Sequence, residues 1–550
     1  MTPSTGVLQI AGLTIDLPAG ADRPHAVEDV TLDLRHDEIL CVVGESGSGK
    51  SVMARAILGL STSRHVRPSA GSIRYADEDL LRASPARLRE LRGSRIAMVF
   101  QEPMTALNPV LTVGRQIEEM IEMHRPDGRD ARRRQVLDML AAVQLPDPER
   151  IHGAYPHQIS GGQRQRAMIA MALILEPEIL IADEPTTALD VTTQAQILAL
   201  IREMQRTRRM AVMFITHDFG VVAEIADRIA VMQQGKLVEQ GAAQQVLDHP
   251  RHGYTISLLA AVPNLAPANP RNLDADAPVA LRVEGLRKTY RGGGVFRARS
   301  ARTVHAVKDV TLAIRRGETL GIVGESGSGK STLARCIARL IAPDAGTIRI
   351  GDLRFDVLAR RALRDARKRV QMVFQDPFGS LDPRHSVGNL IAEGPIVHGA
   401  SAALAWQRAL ELLALVGLDG RAATRFPHEF SGGQRQRIGL ARALALDPDV
   451  LIADEPVSAL DVSVQAQVLR LLADIRERLG LSILFITHDL RVAGQVCDSI
   501  AVMRHGEIVE FGPTPTVFGS PRHPYTQELF AAIPGRDWSL RRAASTREPA

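Results

Sequence analysis

The chain has 550 residues, 45% of them hydrophobic, which is too long for one ordinary domain and is material for more than one core. Its net charge of +5 arises from 67 Lys and Arg scattered among 62 Asp and Glu, a mixed solvated surface that argues against nucleic acid as a partner. No run of about 18 uncharged apolar residues is present to span a membrane, the first thirty residues carry Asp16, Asp22, Glu28 and Asp29 instead of a secretory pattern, and Cys41, Cys336 and Cys497 form no CxxC pair for zinc, an iron–sulfur cluster or disulfides. A cytosolic location and buried structural thiols are expected.

Along the chain, Glu38 to Val43 is a short apolar run that predicts a strand, Gly44-Glu45-Ser46-Gly47-Ser48-Gly49-Lys50-Ser51 follows it, and Val52 to Leu58 reads as a helix. Strand, glycine loop and helix are the context of a P-loop: backbone N–H groups converge on phosphate oxygens, Lys50 reaches the terminal phosphates, and Ser51 offers its hydroxyl to Mg²⁺. Gln101, after Met98-Val99-Phe100, suits bridging Mg²⁺ and an attacking water, its bland alternative being a surface turn. Arg129 to Arg134 is a basic cluster within a helical pattern and reads as exposed. Glu178 to Ala182 is an apolar strand ending on two acids, of which Asp183 suits Mg²⁺ or its water and Glu184 suits polarising the water that attacks. His217 follows the apolar Phe214-Ile215-Thr216 at the C-terminal end of a strand, where ligands of open α/β sheets gather, and reads as a γ-phosphate contact in preference to a core histidine.

Residues 263–278, rich in Pro, Ala and Asn, cannot sustain helix or sheet and predict a linker. Beyond it the chemistry recurs in the same order. Gly324-Glu325-Ser326-Gly327-Ser328-Gly329-Lys330-Ser331 is identical to the first octapeptide, Gln375 repeats Gln101, Asp454 and Glu455 repeat the paired acids, and His488 repeats the histidine. The copies are offset by 280 residues at the lysines, 274 at the glutamines and 271 from the stretch Ser160-Gly161-Gly162-Gln163, repeated as Ser431-Gly432-Gly433-Gln434, onward. Tyr254-Thr255 also returns, as Tyr525-Thr526, and reads from the residues alone as a helix-starting turn. The expected organisation is domain one at residues 5–262, the linker at 263–278, domain two at 279–535, and a basic, Ala/Ser-rich mobile tail at 536–550.

The Ser-Gly-Gly-Gln-Arg-Gln-Arg stretch, with the P-loop, Gln, paired acids and His in this order, resembles the signature set of the ABC-family ATPases, and the resemblance covers nearly the whole chain. It implies two P-loop NTPase domains, each with a RecA-like core, an antiparallel β subdomain and a helical signature subdomain. It further implies ATP and Mg²⁺ as ligands, with each ATP held between one P-loop and the other copy's signature. Site one would then combine Gly44 to Ser51, Gln101, Asp183, Glu184 and His217 with Ser431, Gly432, Gly433 and Gln434. Site two would combine Gly324 to Ser331, Gln375, Asp454, Glu455 and His488 with Ser160, Gly161, Gly162 and Gln163. Asp190 and Asp461 match the D-loop.

The same family stacks adenine on an aromatic residue before the P-loop. Tyr290 is well placed for this in copy two; copy one has no aromatic residue before Tyr75, which leaves Ile15 or a neighbour as an apolar substitute. The segments after Gln101 and Gln375 and the two Tyr-Thr tails resemble those of peptide/nickel-class importers, and the fused form is similar to ATPases for glutathione and oligopeptide uptake. That resemblance implies a peripheral subunit on the cytoplasmic face of the inner membrane, two transmembrane permease partners and, indirectly, a substrate-binding protein. Alternatives are import of nickel or another small solute, and a soluble tandem-cassette ATPase acting on ribosomes, although the latter group usually joins its cassettes by a long charged helix.

Overall fold

In the computed structural model, residues 6–60, 63, 65–101, 106–186, 189–268, 271, 273, 274, 276–291, 303–458 and 460–545 are described. The segment 102–105 after Gln101, to which the peptide-importer resemblance partly points, lies outside them. The chain divides into two compact units, the first ending at Val262 and the second running from Pro263, with the short piece Asp190–Thr192 grouped with the second.

The first unit holds β1 (Leu8–Asp16), β2 (His25–Leu34), β3 (Ile39–Val43), β4 (Pro68–Tyr75), β5 (Glu78–Asp79), β6 (Ile96–Val99), β7 (Ile179–Asp183), β8 (Ala211–Thr216), β9 (Arg228–Gln233) and β10 (Lys236–Ala242). They form an antiparallel sheet ordered β2-β1-β4-β5 and a six-stranded sheet ordered β10-β9-β3-β8-β7-β6, in which only β10 runs antiparallel to its neighbour. Every residue of β3, β7 and β8 is buried, the continuous apolar run that a parallel strand covered on both faces requires. By contrast, β1 alternates buried and exposed positions because one face of its sheet meets water. A helical part follows β6: Val113–His124 buries Val113, Ile117 and Ile121, one face at four-residue spacing, and Arg129–Ala142, Pro148–Gly153 and Gly161–Leu173 complete it. Arg129, Arg133 and Arg134 are exposed on their helix, as the sequence predicts.

The second unit repeats this plan with β11 (Val279–Arg291), β12 (Thr303–Arg315), β13 (Thr319–Val323), β14 (Ala345–Ile350), β15 (Leu353–Arg354), β16 (Val370–Val373), β17 (Val450–Asp454), β18 (Ser482–Thr487), β19 (Ser499–Arg504) and β20 (Glu507–Pro513). Its sheets are ordered β12-β11-β14-β15 and β16-β17-β18-β13-β19-β20. The expected class, an α/β core with antiparallel and helical subdomains, is therefore found twice. All three cysteines are buried.

Strand register positions the site. Val43 pairs with Thr216 and Asp183 with Ile215, so Gly44, Glu184 and His217 emerge side by side at the carboxyl ends of β3, β7 and β8. Val323 with Thr487 and Asp454 with Ile486 repeat this in the second unit.

The structure alters two expectations at the ends of unit two. The stretch predicted as a linker has no helix or strand among its described residues, yet it is packed down: Leu265 is 6% exposed, and Gln495 Nε2 donates to Asn264 Oδ1 (2.9 Å) and the Ala266 carbonyl (2.6 Å). The tail expected to be mobile is a helix over Arg536–Ser545, in which Trp538 is 6% exposed beneath the Arg542 guanidinium and Ser539 Oγ accepts the Leu265 N–H at 3.1 Å. The arginines and alanines dominate this segment's composition, but the buried indole and the Ser539 hydrogen bond attach it to the unit. Residues 546–550 lie outside the described part.

Candidate nucleotide site

The loop after β3 is shaped by glycines that admit no side chain. A Cβ on Gly44 (φ 151°) would lie 2.2 Å from the Met232 carbonyl oxygen, and one on Gly49 (φ 100°) 2.4 Å from that of Ala26; Gly324 and Gly329 are equally confined by Met503 and Ala306. Lys50 opens the helix Lys50–Ile57 and its Nζ turns back into the loop, donating to the carbonyls of Gly44 and Glu45 (both 2.7 Å) and to Ser48 Oγ (3.1 Å). Lys330 does the same at 2.7, 2.7 and 3.4 Å. Burial lowers the pKa of Lys330, and the negative charges of Glu455 and Asp454 oppose that shift.

Ser51 Oγ donates to Asp183 Oδ1 at 2.7 Å, and Ser331 Oγ to Asp454 Oδ1 at 3.1 Å. Both aspartates have raised pKa values, chiefly through burial and further through the adjoining glutamate. Asp183 Oδ2 is buried with no hydrogen-bond partner among the described residues, a costly state for a carboxylate oxygen in the absence of a cation.

Glu184 and Glu455 share a left-handed backbone, φ 48° in each, that a branched or bulky residue rarely adopts. Their N–H groups donate to Ile215 and Ile486 carbonyls at 3.0 and 2.9 Å, which ties the strained turn to the neighbouring strand. The carboxylates meet the predicted partners. Gln101 Nε2 donates to Glu184 Oε2 at 2.9 Å and Gln375 Nε2 to Glu455 Oε2 at 2.8 Å, while His217 Nδ1 lies 3.4 Å from Glu184 Oε1 and His488 Nδ1 3.2 Å from Glu455 Oε2. Burial alone would raise the Glu455 pKa, but the His488 hydrogen bond and charge hold it below the ordinary carboxyl range; burial alone would lower that of His488, but Glu455 and Asp489 raise it. Glu455 is thus kept as an anion beside a histidine whose protonated form it favours.

At the signatures, Ser160 and Ser431 cap the helices Gly161–Leu173 and Gly432–Leu444 in reciprocal capping boxes. Gln163 Oε1 accepts the Ser160 N–H at 3.1 Å and Gln434 Oε1 that of Ser431 at 3.0 Å, so these glutamine oxygens, expected at the nucleotide, build the helix start. A Cβ on Gly162 would meet Thr193 Cγ2 at 2.8 Å and one on Gly433 would meet Val464 Cγ1 at 2.2 Å, whereas one on Gly161 would meet nothing within 4 Å. Packing within the unit therefore explains the second glycine and leaves the first with an open approach. Asp190 accepts the Thr192 hydroxyl at 2.8 Å, and Asp461 is the N-cap of the helix Val462–Leu479.

In copy one, strand register separates Ile15 from its neighbours at the position that matches Tyr290. Tyr290 is 40% exposed at the end of β11, paired with Val304. In the first unit Asp16 pairs with His25 as Thr289 does with His305, and Leu17 N donates to the Pro24 carbonyl, so Leu17 takes the place of Tyr290. Ile15 is 1% exposed and faces the core, because strand alternation turns it away from the surface. Sequence reasoning also missed Tyr254 and Tyr525. Their hydroxyl oxygens accept the N–H groups of Glu45 and Glu325, both at 3.1 Å, and the repeat at the 271-residue offset was the available signal.

The family profile described as ABC transporter matches residues 27–187 and 307–458, the two regions that carry this geometry. The chain belongs to the ABC transporter ATP-binding family. Each unit is thus one ATP-binding cassette. A second profile, oligopeptide/dipeptide transporter, C-terminal region, matches residues 238–305 and 509–549. The chain is 46% identical to the glutathione import ATP-binding protein GsiA of Salmonella choleraesuis over 569 residues, and 45% identical to that of Escherichia coli O157:H7 over 576 residues, each alignment covering 98% of this chain and 91% of the relative. A dimeric post-hydrolysis structure of the ATP-binding cassette MJ0796 bound to ADP and Pi aligns at 32% identity with a TM-score of 0.39, covering 42% of this chain and 98% of that one.

Proposed function

We propose that both cassettes hydrolyse ATP to drive import of peptides of the dipeptide, oligopeptide or glutathione kind through two membrane-embedded permease subunits supplied by an extracytoplasmic binding protein. The chain would sit peripherally on the cytoplasmic face of the inner membrane; among its described residues no helix is long and apolar enough to cross one. The observation that carries the ATPase reading is the duplicated cluster in which one glutamate receives both a glutamine and a histidine beside a P-loop lysine. Similarity to the two glutathione import proteins supports the cargo class.

Ser51, Asp183 and Gln101, with Ser331, Asp454 and Gln375 in copy two, are assigned to Mg²⁺. They offer the hard oxygen donors that this ion selects, and the partnerless Asp183 Oδ2 fits a site built for a cation. Once bound, Mg²⁺ neutralises charge on the β- and γ-phosphates. The loops from Gly44 and Gly324 cradle phosphate oxygens through backbone N–H groups, and Lys50 and Lys330 exchange their loop carbonyls for phosphate. Glu184 and Glu455 polarise the attacking water, with Gln101, Gln375, His217 and His488 holding the carboxylates in place. Ser160, Gly161 and Gly162, and Ser431, Gly432 and Gly433, are assigned to the γ-phosphate, where an open helix start favours an anion. Hydrolysis removes that phosphate and with it the contact, so conformational change is the output.

Phosphate release by the purified chain, measured with and without Mg²⁺, tests the ATPase; purification from membranes tests the partners. A Mg²⁺-dependent ATPase recovered with two permease subunits is expected. Recovery with ribosomes and no permease would overturn the import reading.

A further inference from the structure

The two Tyr-Thr repeats lie within the regions that the oligopeptide/dipeptide C-terminal profile matches, and neither takes part in the hydrolytic cluster. Tyr254 stands in the helix Gly253–Ala261 and Tyr525 in the helix Pro524–Ala531, each with its own N–H capped by the preceding histidine ring at 3.2 Å. The turns before these helices are anchored to the sheet edge. Glu239 on β10 accepts the N–H groups of Arg251 (2.8 Å) and His252 (3.1 Å), and Glu510 on β20 accepts those of Arg522 (2.8 Å) and His523 (3.0 Å). Such paired charge-assisted bonds leave the tyrosine little freedom to move relative to the sheet.

From that anchorage each phenol reaches the second residue of the P-loop, 209 residues away in sequence in copy one and 200 in copy two. Tyr254 Oη accepts the Glu45 N–H at 3.1 Å and donates to Glu45 Oε2 at 3.3 Å, so one hydroxyl brackets one residue. Tyr525 Oη accepts the Glu325 N–H at 3.1 Å; its ring is 1% exposed and lies under the Arg504 guanidinium, 4.5 Å from the centroid. Burial, with the Glu325 charge, pushes the Tyr525 phenol up to about 12, which keeps it protonated throughout the neutral range. The other side of the same loop residues is engaged by the lysines, since Lys50 Nζ donates to the Glu45 carbonyl and Lys330 Nζ to that of Glu325, each at 2.7 Å. Glu45 and Glu325 are therefore held between a C-terminal tyrosine and the lysine that the phosphates require.

We infer that Tyr254 and Tyr525 are positioning residues for the P-loops, and that the C-terminal region of each cassette is thereby part of its nucleotide site and sets ATP affinity. This rests on the ATPase reading. Preorganising a loop in its bound shape removes an ordering cost from binding and leaves the chemical step alone.

The test uses the full chain carrying Tyr254→Phe, Tyr525→Phe or both, which keep the rings and remove the hydroxyls. ADP and ATP titrations, steady-state ATPase kinetics and amide hydrogen exchange of residues 44–51 and 324–331 are compared with wild type. The double variant is expected to bind both nucleotides about three- to tenfold more weakly, in line with one lost hydrogen bond per site, with KM rising in proportion, kcat changing by less than about twofold and the Glu45 and Glu325 amides exchanging faster. Unchanged affinity and exchange, with or without a lower melting temperature, would show a purely structural tyrosine and overturn the inference. Failure of wild type itself to bind nucleotide would instead remove the ATPase reading. Should the Phe variants not fold, Glu239→Gln and Glu510→Gln loosen the same anchor, and unchanged affinity there counts equally against the proposal.

Discussion

Glu184 and Glu455 are the residues proposed to activate the attacking water, and their surroundings explain why a carboxylate would be needed. Each accepts a glutamine N–H and stands beside a histidine, so replacing it by an amide preserves the shape and removes the base. Glu184→Gln and Glu455→Gln are each expected to lower turnover by at least about tenfold at the altered site while ATP still binds, and the double variant to abolish it. Phosphate-release assays alongside nucleotide titration check this. The Glu455–His488 pair also makes a pH prediction. Glu455 is held below its ordinary 4.5, so its contribution to stability is present above that value and lost as pH falls through its depressed folded value. His488 is held above its ordinary 6.5, so its contribution is complete below that value and lost as pH rises through the raised one. Thermal melts of wild type and His488→Gln should therefore differ most between the ordinary values of 4.5 and 6.5, and the difference should shrink as pH rises through the raised value of His488. A constant difference as pH rises would contradict it.

Among the elements, the end of the first strand of each cassette distinguishes the two sites. β11 runs on through Tyr290, which pairs with Val304 and is 40% exposed, whereas β1 stops at Asp16 and leaves Leu17 in the equivalent place, packed against the antiparallel-sheet core. An aromatic face offers adenine a stacking partner that leucine lacks, a difference of ~1 kcal/mol or about fivefold in affinity by analogy with base stacking. Site one is expected to bind ATP more weakly than site two, Leu17→Tyr to tighten it by about fivefold and Tyr290→Ala to weaken site two by a similar factor. Nucleotide titration with the other site disabled at Lys50 or Lys330 checks this, and equal wild-type affinities would sink it. The signature helices illustrate a different lesson. Gln163 and Gln434 read from the motif as nucleotide ligands, but three-residue spacing from Ser160 and Ser431 at a helix start is also the capping-box pattern, and the structure shows their oxygens used there.

At the scale of the whole molecule, the second unit extends further at both ends than its motifs imply. Leu265 before it and Trp538 after it are both buried, joined by the Ser539 hydroxyl. Trp538→Ala is expected to destabilise this unit by about 3 kcal/mol, the usual cost of truncating a large buried aromatic side chain, and circular dichroism during denaturant unfolding measures it. Loss of under about 0.5 kcal/mol would restore the view of a loose tail.

The sequence by itself determined the duplication, the order of motifs in each cassette and the residues proposed for the chemistry. Those signals are local: a glycine loop between a strand and a helix, or two acids closing an apolar run, needs only the period of the element and the reach of the side chain. Tertiary structure alone decided what depends on distant partners. It put Ile15 inward and Leu17 in the place of Tyr290, ordered Trp538, and brought Tyr254 and Tyr525 to loops some two hundred residues earlier. Such contacts follow from sheet order and strand register, which bring together segments whose local patterns carry no record of one another.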